Sequence, residues 1–194
     1  ALETAGLGDS TREVNIRAVE LAMIARERAA KGREIWIAGS ISHFLGWDID
    51  ARGNYLTRGR AEANKLAYSF HEQARILSEA GCDLILLEMM RDVEVATYAI
   101  KAVAGLGIPL WVGFTCRMDN GLIRIGEVPE YEDGICFKDA VEALSSTDVD
   151  LMAVMHTSIS EALPALKVLR EAWQGPIGAY QHSGSMQRPH WDIQ

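Results

Sequence analysis

A run of apolar residues, Leu151-Met152-Ala153-Val154-Met155, stops at His156 and gives way to the polar turn Thr157-Ser158. Positions of this kind recur along the chain. Ser40 with His43, Glu88, Thr115 with Cys116, and Gln181 with His182 each close an apolar run. Imidazole, thiolate and carboxylate are metal-ligand groups, and a site assembled from several strand ends needs no local spacing between its ligands. Polar residues are common at strand ends in any case, so residue type alone makes the pattern suggestive and no more. Glu88 is more telling. Leu84 to Leu87 precede it and Met89-Met90 follow, so its carboxylate emerges from a dry region and needs a cation or several donors. It either holds a substrate ammonium group or serves structure, by pairing with an arginine or capping a helix. His71, beside the core face of a helix, and His190, in an irregular tail, read as packing or surface residues.

The elements that must position these tips alternate in type. Apolar runs predict strands over 34–40, 83–88, 108–115, 151–155 and 176–180. Helical periodicity fills the intervals, over 10–30, 57–80, 92–104, 138–144 and 160–173. In the first helix Ser10 with Glu13 fits a capping box, and Val14, Ala18, Leu21, Ala22, Ala25 and Ala29 form its apolar face, with Gly32 as the stop. In the second the face is Leu66, Phe70, Ala74 and Leu77, ended by Gly81. Asp119-Asn120-Gly121 lies in a longer loop. Near-continuous apolar strands separated by helices indicate a parallel α/β sheet buried on both faces, either doubly wound or part of a (β/α)8 barrel. No Gly-rich phosphate fingerprint follows any strand. Both architectures bind ligands at the carboxyl ends of their strands, where the candidate residues fall.

Bulk properties narrow the class. The chain has 194 residues, 48% hydrophobic and 24% charged, enough for one domain over 1–194 with a sizeable core. A net charge of -8 argues against nucleic acid and anionic membranes as partners. No apolar run approaches the ~18 residues of a membrane helix, and the start does not read as a signal peptide. Three widely spaced cysteines, Cys82, Cys116 and Cys136, make no disulfide framework, so the expectation is a cytoplasmic protein with reduced thiols. An Ala start and the close on "RPHWDIQ" suggest a piece of a longer chain.

The blocks "GCDLILLEMM", "GIPLWVGFTC", "LMAVMHT…EALPALKVLR" and "GPIGAYQHSG" resemble, in order, those of the homocysteine S-methyltransferase family, and "ALETAGLGDSTREVNIRAVELAMIARE" and "IAGSISHF" fit it too. That family includes betaine–homocysteine methyltransferase and the homocysteine-binding domain of cobalamin-dependent methionine synthase. The resemblance implies a (β/α)8 barrel of which this chain supplies strands three to seven. It implies methyl transfer to the thiol of homocysteine, giving methionine, from a donor that varies among betaine, methylated sulfonium amino acids and methyl-folate through cobalamin. It also implies zinc, held by three cysteine thiolates, with the substrate thiol as fourth ligand. Glu88 matches the strand-four glutamate that binds the amino group of homocysteine, and Ser40 and Thr115 are expected to contact substrate.

The zinc residues depart from the family pattern. The Gly-x-Asn-Cys block reads Ala153-Val154-Met155-His156, so His156 stands where a zinc cysteine is expected, and no two cysteines are adjacent. The Tyr-Pro-Asn-x-Gly block reads Tyr180-Gln181-His182-Ser183-Gly184, and Met89 replaces the threonine after the glutamate. Three readings follow. His156 substitutes for thiolate in an altered methyltransferase site; Cys116, His156 and His182 form a rebuilt metal cluster, with His43 more distant; or the chain is non-catalytic, its open sheet edges covered by self-association.

Overall fold

A computed structural model of the chain describes residues 6–42, 63–126, 134–182, 185–187 and 190–192. In chain order the elements are α1 (Thr11–Ala29), β1 (Ala38–Ser42), α2 (Ala63–Glu79), β2 (Leu84–Met90), α3 (Val93–Val103), β3 (Leu110–Phe114), β4 (Cys116–Asp119), β5 (Leu122–Ile125), β6 (Ile135–Cys136), α4 (Phe137–Leu144), β7 (Leu151–Ser158), α5 (Ile159–Ala172), β8 (Ile177–His182), β9 (Ser185–Gln187) and β10 (His190–Asp192). The five predicted strands pair in parallel in the order β1-β2-β3-β7-β8, each next to its neighbour along the chain of β/α units. This is the winding of a TIM-type wall rather than a doubly wound sheet, because no strand order reverses.

The apolar runs form strands buried from two sides. Residues Ile85 and Leu87, Val112 and Phe114, and Met152 and Val154 turn toward the helices and are fully buried. They meet Phe70, Ala74 and Leu77 of α2, Ala96, Ala99 and Ile100 of α3, Phe137, Val141 and Leu144 of α4, and Ala165 and Leu169 of α5. Full burial of each large side chain contributes about 1.5–3 kcal/mol, so this layer dominates stability. Local signals agree with it. Asp92 accepts a hydrogen bond from Val95 N at 3.0 Å as the cap of α3, and Gly81 ends α2 with φ 99°.

Several expectations need correction. The first helix is present, but its packed face is different: Val19 is buried and Met23 packs on the core, whereas Val14 and Leu21 are exposed. Ser10 makes no capping bond; Thr11 Oγ1 donates to Gly8 O at 2.8 Å instead. The first strand starts later than predicted. Asp83 accepts from Ile37 N and from Arg26, both at 2.7 Å, its own N donates to Ile37 O at 2.9 Å, and Trp36 stacks on Trp111, so 34–37 lead into the sheet ahead of the strand register. Pairing begins at Ala38 opposite Leu84, which puts Ser42 level with Glu88 and Ser40 level with Leu86.

The loop after β3 is itself a sheet. Strands β4, β5 and β6 form an antiparallel meander, and β9 pairs with β10 as a second hairpin. Asn120 and Gly121, with φ 49° and 82°, make the turn that Asn-Gly favours between twisted antiparallel strands. The strand periodicity was too short here to stand out from loop. His43 and the start of the second helix, 57–62, lie outside the described residues.

Candidate functional site

Alternation along the strands puts Leu86 and Glu88 of β2, Gly113 of β3, Ala153 and Met155 of β7, and Gly178 and Tyr180 of β8 on the face away from the helices. Tyr180 donates its hydroxyl hydrogen to Glu88 Oε1 at 3.0 Å. The strands that carry them are separated by β3 and β7, a span of about 14 Å at ~4.8 Å per strand. Only a strongly curved wall lets one tyrosine bridge it, so the face is concave in the manner of a barrel interior. The same hydroxyl lies 3.2 Å from His156 Nε2, and the two rings meet edge to face with centroids 5.2 Å apart.

His156 reaches this face through a backbone irregularity. The β7–β8 register slips between Met155 and Ser158, and His156 has φ 49°. A matching slip between Leu87 and Met90 in β2 leaves Met89 at φ 57°. Each non-glycine residue in the left-handed region costs on the order of 1 kcal/mol or more, and bulges of this kind re-aim side chains at strand ends. The two bulges touch: Met89 N donates to Met155 Sδ at 3.4 Å. Met155 gets there by crossing Gly113, where an added Cβ would stand 1.7 Å from Met155 Cε. A side chain at 113 would therefore close the path.

The meander is tied to the same strand ends. Cys116 N donates to Thr157 Oγ1 at 3.0 Å, and that hydroxyl donates to Met155 O at 3.1 Å. Met118 N donates to Glu161 Oε1 at 2.6 Å, and Ser158 donates to the same carboxylate. So Cys116 opens β4 rather than ending β3, and the residue is only 4% exposed. Burial pushes its thiol well above the usual cysteine range. Burial first, and then the hydrogen bond to Glu88, push the Tyr180 phenol up to about 12. Thr115 Oγ1 is buried and has no hydrogen-bond partner among the described residues.

Of the expected residues, Glu88 and His156 share one hydrogen-bonded cluster. Ser40 is exposed on β1, two residues short of the strand's end. Cys116 is buried at the start of the meander, and the side chain of His182 lies outside the described residues. Tyr180 was missed as a site residue, although it is the tyrosine that opens the altered Tyr-Pro-Asn-x-Gly block. The described side chains do not fit the family's three-thiolate zinc site. No three His, Cys, Asp or Glu side chains among them come close enough to hold a metal, and Cys82, Cys116 and Cys136 lie apart and unbridged. His156 Nε2 is already engaged by the Tyr180 hydroxyl. The thiols differ in access, so alkylation at neutral pH followed by peptide mapping is expected to modify half-buried Cys136 well before Cys116. Equal rates would mean that the meander does not cover Cys116.

A curved parallel β/α wall with polar groups gathered at its carboxyl ends defines a TIM-type ligand-binding scaffold. The chain belongs to the homocysteine S-methyltransferase family, which it matches over residues 1–194. It is similar in fold to homocysteine methyltransferase MmuM from Escherichia coli. The apo form superposes with a TM-score of 0.69 at 19% identity, covering 90% of this chain and 61% of that one. The metallated form gives 0.69 at 20%, covering 94% and 62%, and the oxidised form 0.70 at 21%, covering 94% and 61%. The chain thus spans 61% to 62% of the length of these solved chains. It matches no curated protein sequence. Among the described residues no helix is long and apolar enough to cross a membrane.

Proposed function

We propose that this chain forms the acceptor-binding part of a cytoplasmic S-methyltransferase whose substrate is an amino-acid thiol of the homocysteine type. The observation that carries this reading is the placement of Glu88. Its carboxylate stands at the open end of the concave face, with one oxygen held by Tyr180, so the other is available to a ligand's ammonium group. A charge-assisted hydrogen bond of that kind contributes about 1.5–3 kcal/mol. Thr115, directly after β3, offers a further polar group at the strand ends. A buried hydroxyl without a partner costs about 1–3 kcal/mol, which a polar atom of a bound ligand would recover.

Methyl transfer forms an S–CH3 bond and breaks the onium–CH3 bond of the donor. The electron pair stays on the donor heteroatom and the thiol proton leaves to a base. Glu88, Thr115 and Tyr180 bind and orient the acceptor. The zinc expectation on His156, His182 and Cys116 is a separate matter for elemental analysis of protein purified without chelator, with His156→Ala as control.

The test of the acceptor reading is calorimetric binding of homocysteine and of its des-amino analogue. Glu88→Gln is expected to weaken homocysteine about tenfold and to leave the analogue unchanged. Equal affinity of the unaltered protein for both ligands would remove the amino-group assignment. A second reading, a binder that transfers no methyl group, is favoured by the histidine at 156. Methionine formation from homocysteine with betaine or a methylated sulfonium amino acid, followed by mass spectrometry, separates the two.

A further inference from the structure

The Tyr180 hydroxyl touches two partners, Glu88 Oε1 at 3.0 Å and His156 Nε2 at 3.2 Å, and has a single proton to donate. A carboxylate only accepts, so that proton goes to Glu88. The contact with His156 then requires a proton on Nε2, donated to the phenol oxygen. We propose that Tyr180 is a positioning residue through which Glu88, on β2, sets His156, on β7, as an Nε2–H donor.

The surrounding structure supports a fixed arrangement. The imidazole lies edge to face against the phenol at 75°, which restrains both ring planes. His156 is held at φ 49° in the slipped segment of β7, a conformation that persists only when its neighbours over-determine it. The consequence concerns the histidine that replaces the family's thiolate. While the chain Glu88–Tyr180–His156 is intact, Nε2 keeps its proton, directed at the phenol oxygen, and has no lone pair for a metal. Tyr180 also fixes the rotation of the Glu88 carboxylate. This last point rests on the reading of Glu88 as the ammonium acceptor.

The test is 15N NMR of the full chain labelled at histidine, at about pH 8, above the ordinary imidazole range. The unaltered protein is expected to show the His156 proton on Nε2. In Glu88→Ala the phenol is released to donate to the imidazole, so the proton should shift to Nδ1. Tyr180→Phe keeps the ring and removes the hydroxyl, and the preference for Nε2–H should be lost. A proton on Nδ1 in the unaltered protein, or an Nε2–H signal unchanged in both variants, overturns the proposal. Ligand binding supplies a separate readout. Tyr180→Phe should weaken homocysteine several-fold, up to about tenfold, and spare the des-amino analogue, whereas equal loss for both would mark a packing role. If the unaltered protein does not distinguish the two ligands, the ammonium reading of Glu88 falls, and the tautomer measurement still decides the coupling.

Discussion

Gly113→Ala is expected to lower stability by about 1–3 kcal/mol and to dismantle the contact between the two bulged strand ends. The new methyl group would lie 1.7 Å from Met155 Cε, 2.4 Å from Sδ and 2.9 Å from Cγ. The thioether is flexible, so its far end can swing aside. Cγ cannot clear the methyl without a change of rotamer, and Met155 is only 1% exposed, with little space to receive one. Moving Met155 removes the acceptor for Met89 N and the support under the backbone that carries Glu88 and His156. Denaturant unfolding reads the stability, and the Met155 methyl resonance reads the displacement. An unshifted resonance with unchanged stability would mean that Met155 does not cross Gly113 in solution.

A larger loss, about 3–5 kcal/mol, is expected for Phe137→Ala. Phe137 is the first residue of α4, directly after β6, and is fully buried. Its ring meets Phe114, the last residue of β3, at 5.4 Å and 61°. Truncation leaves a cavity between the meander and the strand end and removes an aromatic pair worth about 0.5–1.5 kcal/mol beyond its burial. Cys116 follows Phe114 by two residues, so its alkylation should also speed up in this variant. A loss below about 1 kcal/mol would show that the site closes by rearrangement, contrary to the packing described.

Much of the architecture was legible in the residues. Unbroken apolar runs such as Leu84 to Leu87 and Leu151 to Met155 can be satisfied only by burial on both faces. The helices between them then impose parallel pairing and place Glu88 and His156 at carboxyl ends. The face of α1 was misread because it is rich in alanine. Spacing alone does not choose among alanine stripes, and contact with α2 decides that Val19 faces inward. The meander escaped notice for a related reason: four-residue strands such as Cys116–Asp119 and Leu122–Ile125 are too short for alternation to declare itself. The Asn120-Gly121 turn was the available signal.

The sequence by itself determined the β/α order, the buried layer, and the presence of a carboxylate and an imidazole at strand tips, because these follow from local periodicity and from the cost of burying polar groups. The tertiary structure alone decided that Tyr180 reaches Glu88 across two intervening strands and meets His156 on the adjacent one, that Met155 passes over Gly113, and that Cys116 is closed off. Those outcomes depend on sheet curvature and on two slips in register. Both are summed over many residues far apart in the chain, and no short stretch encodes them.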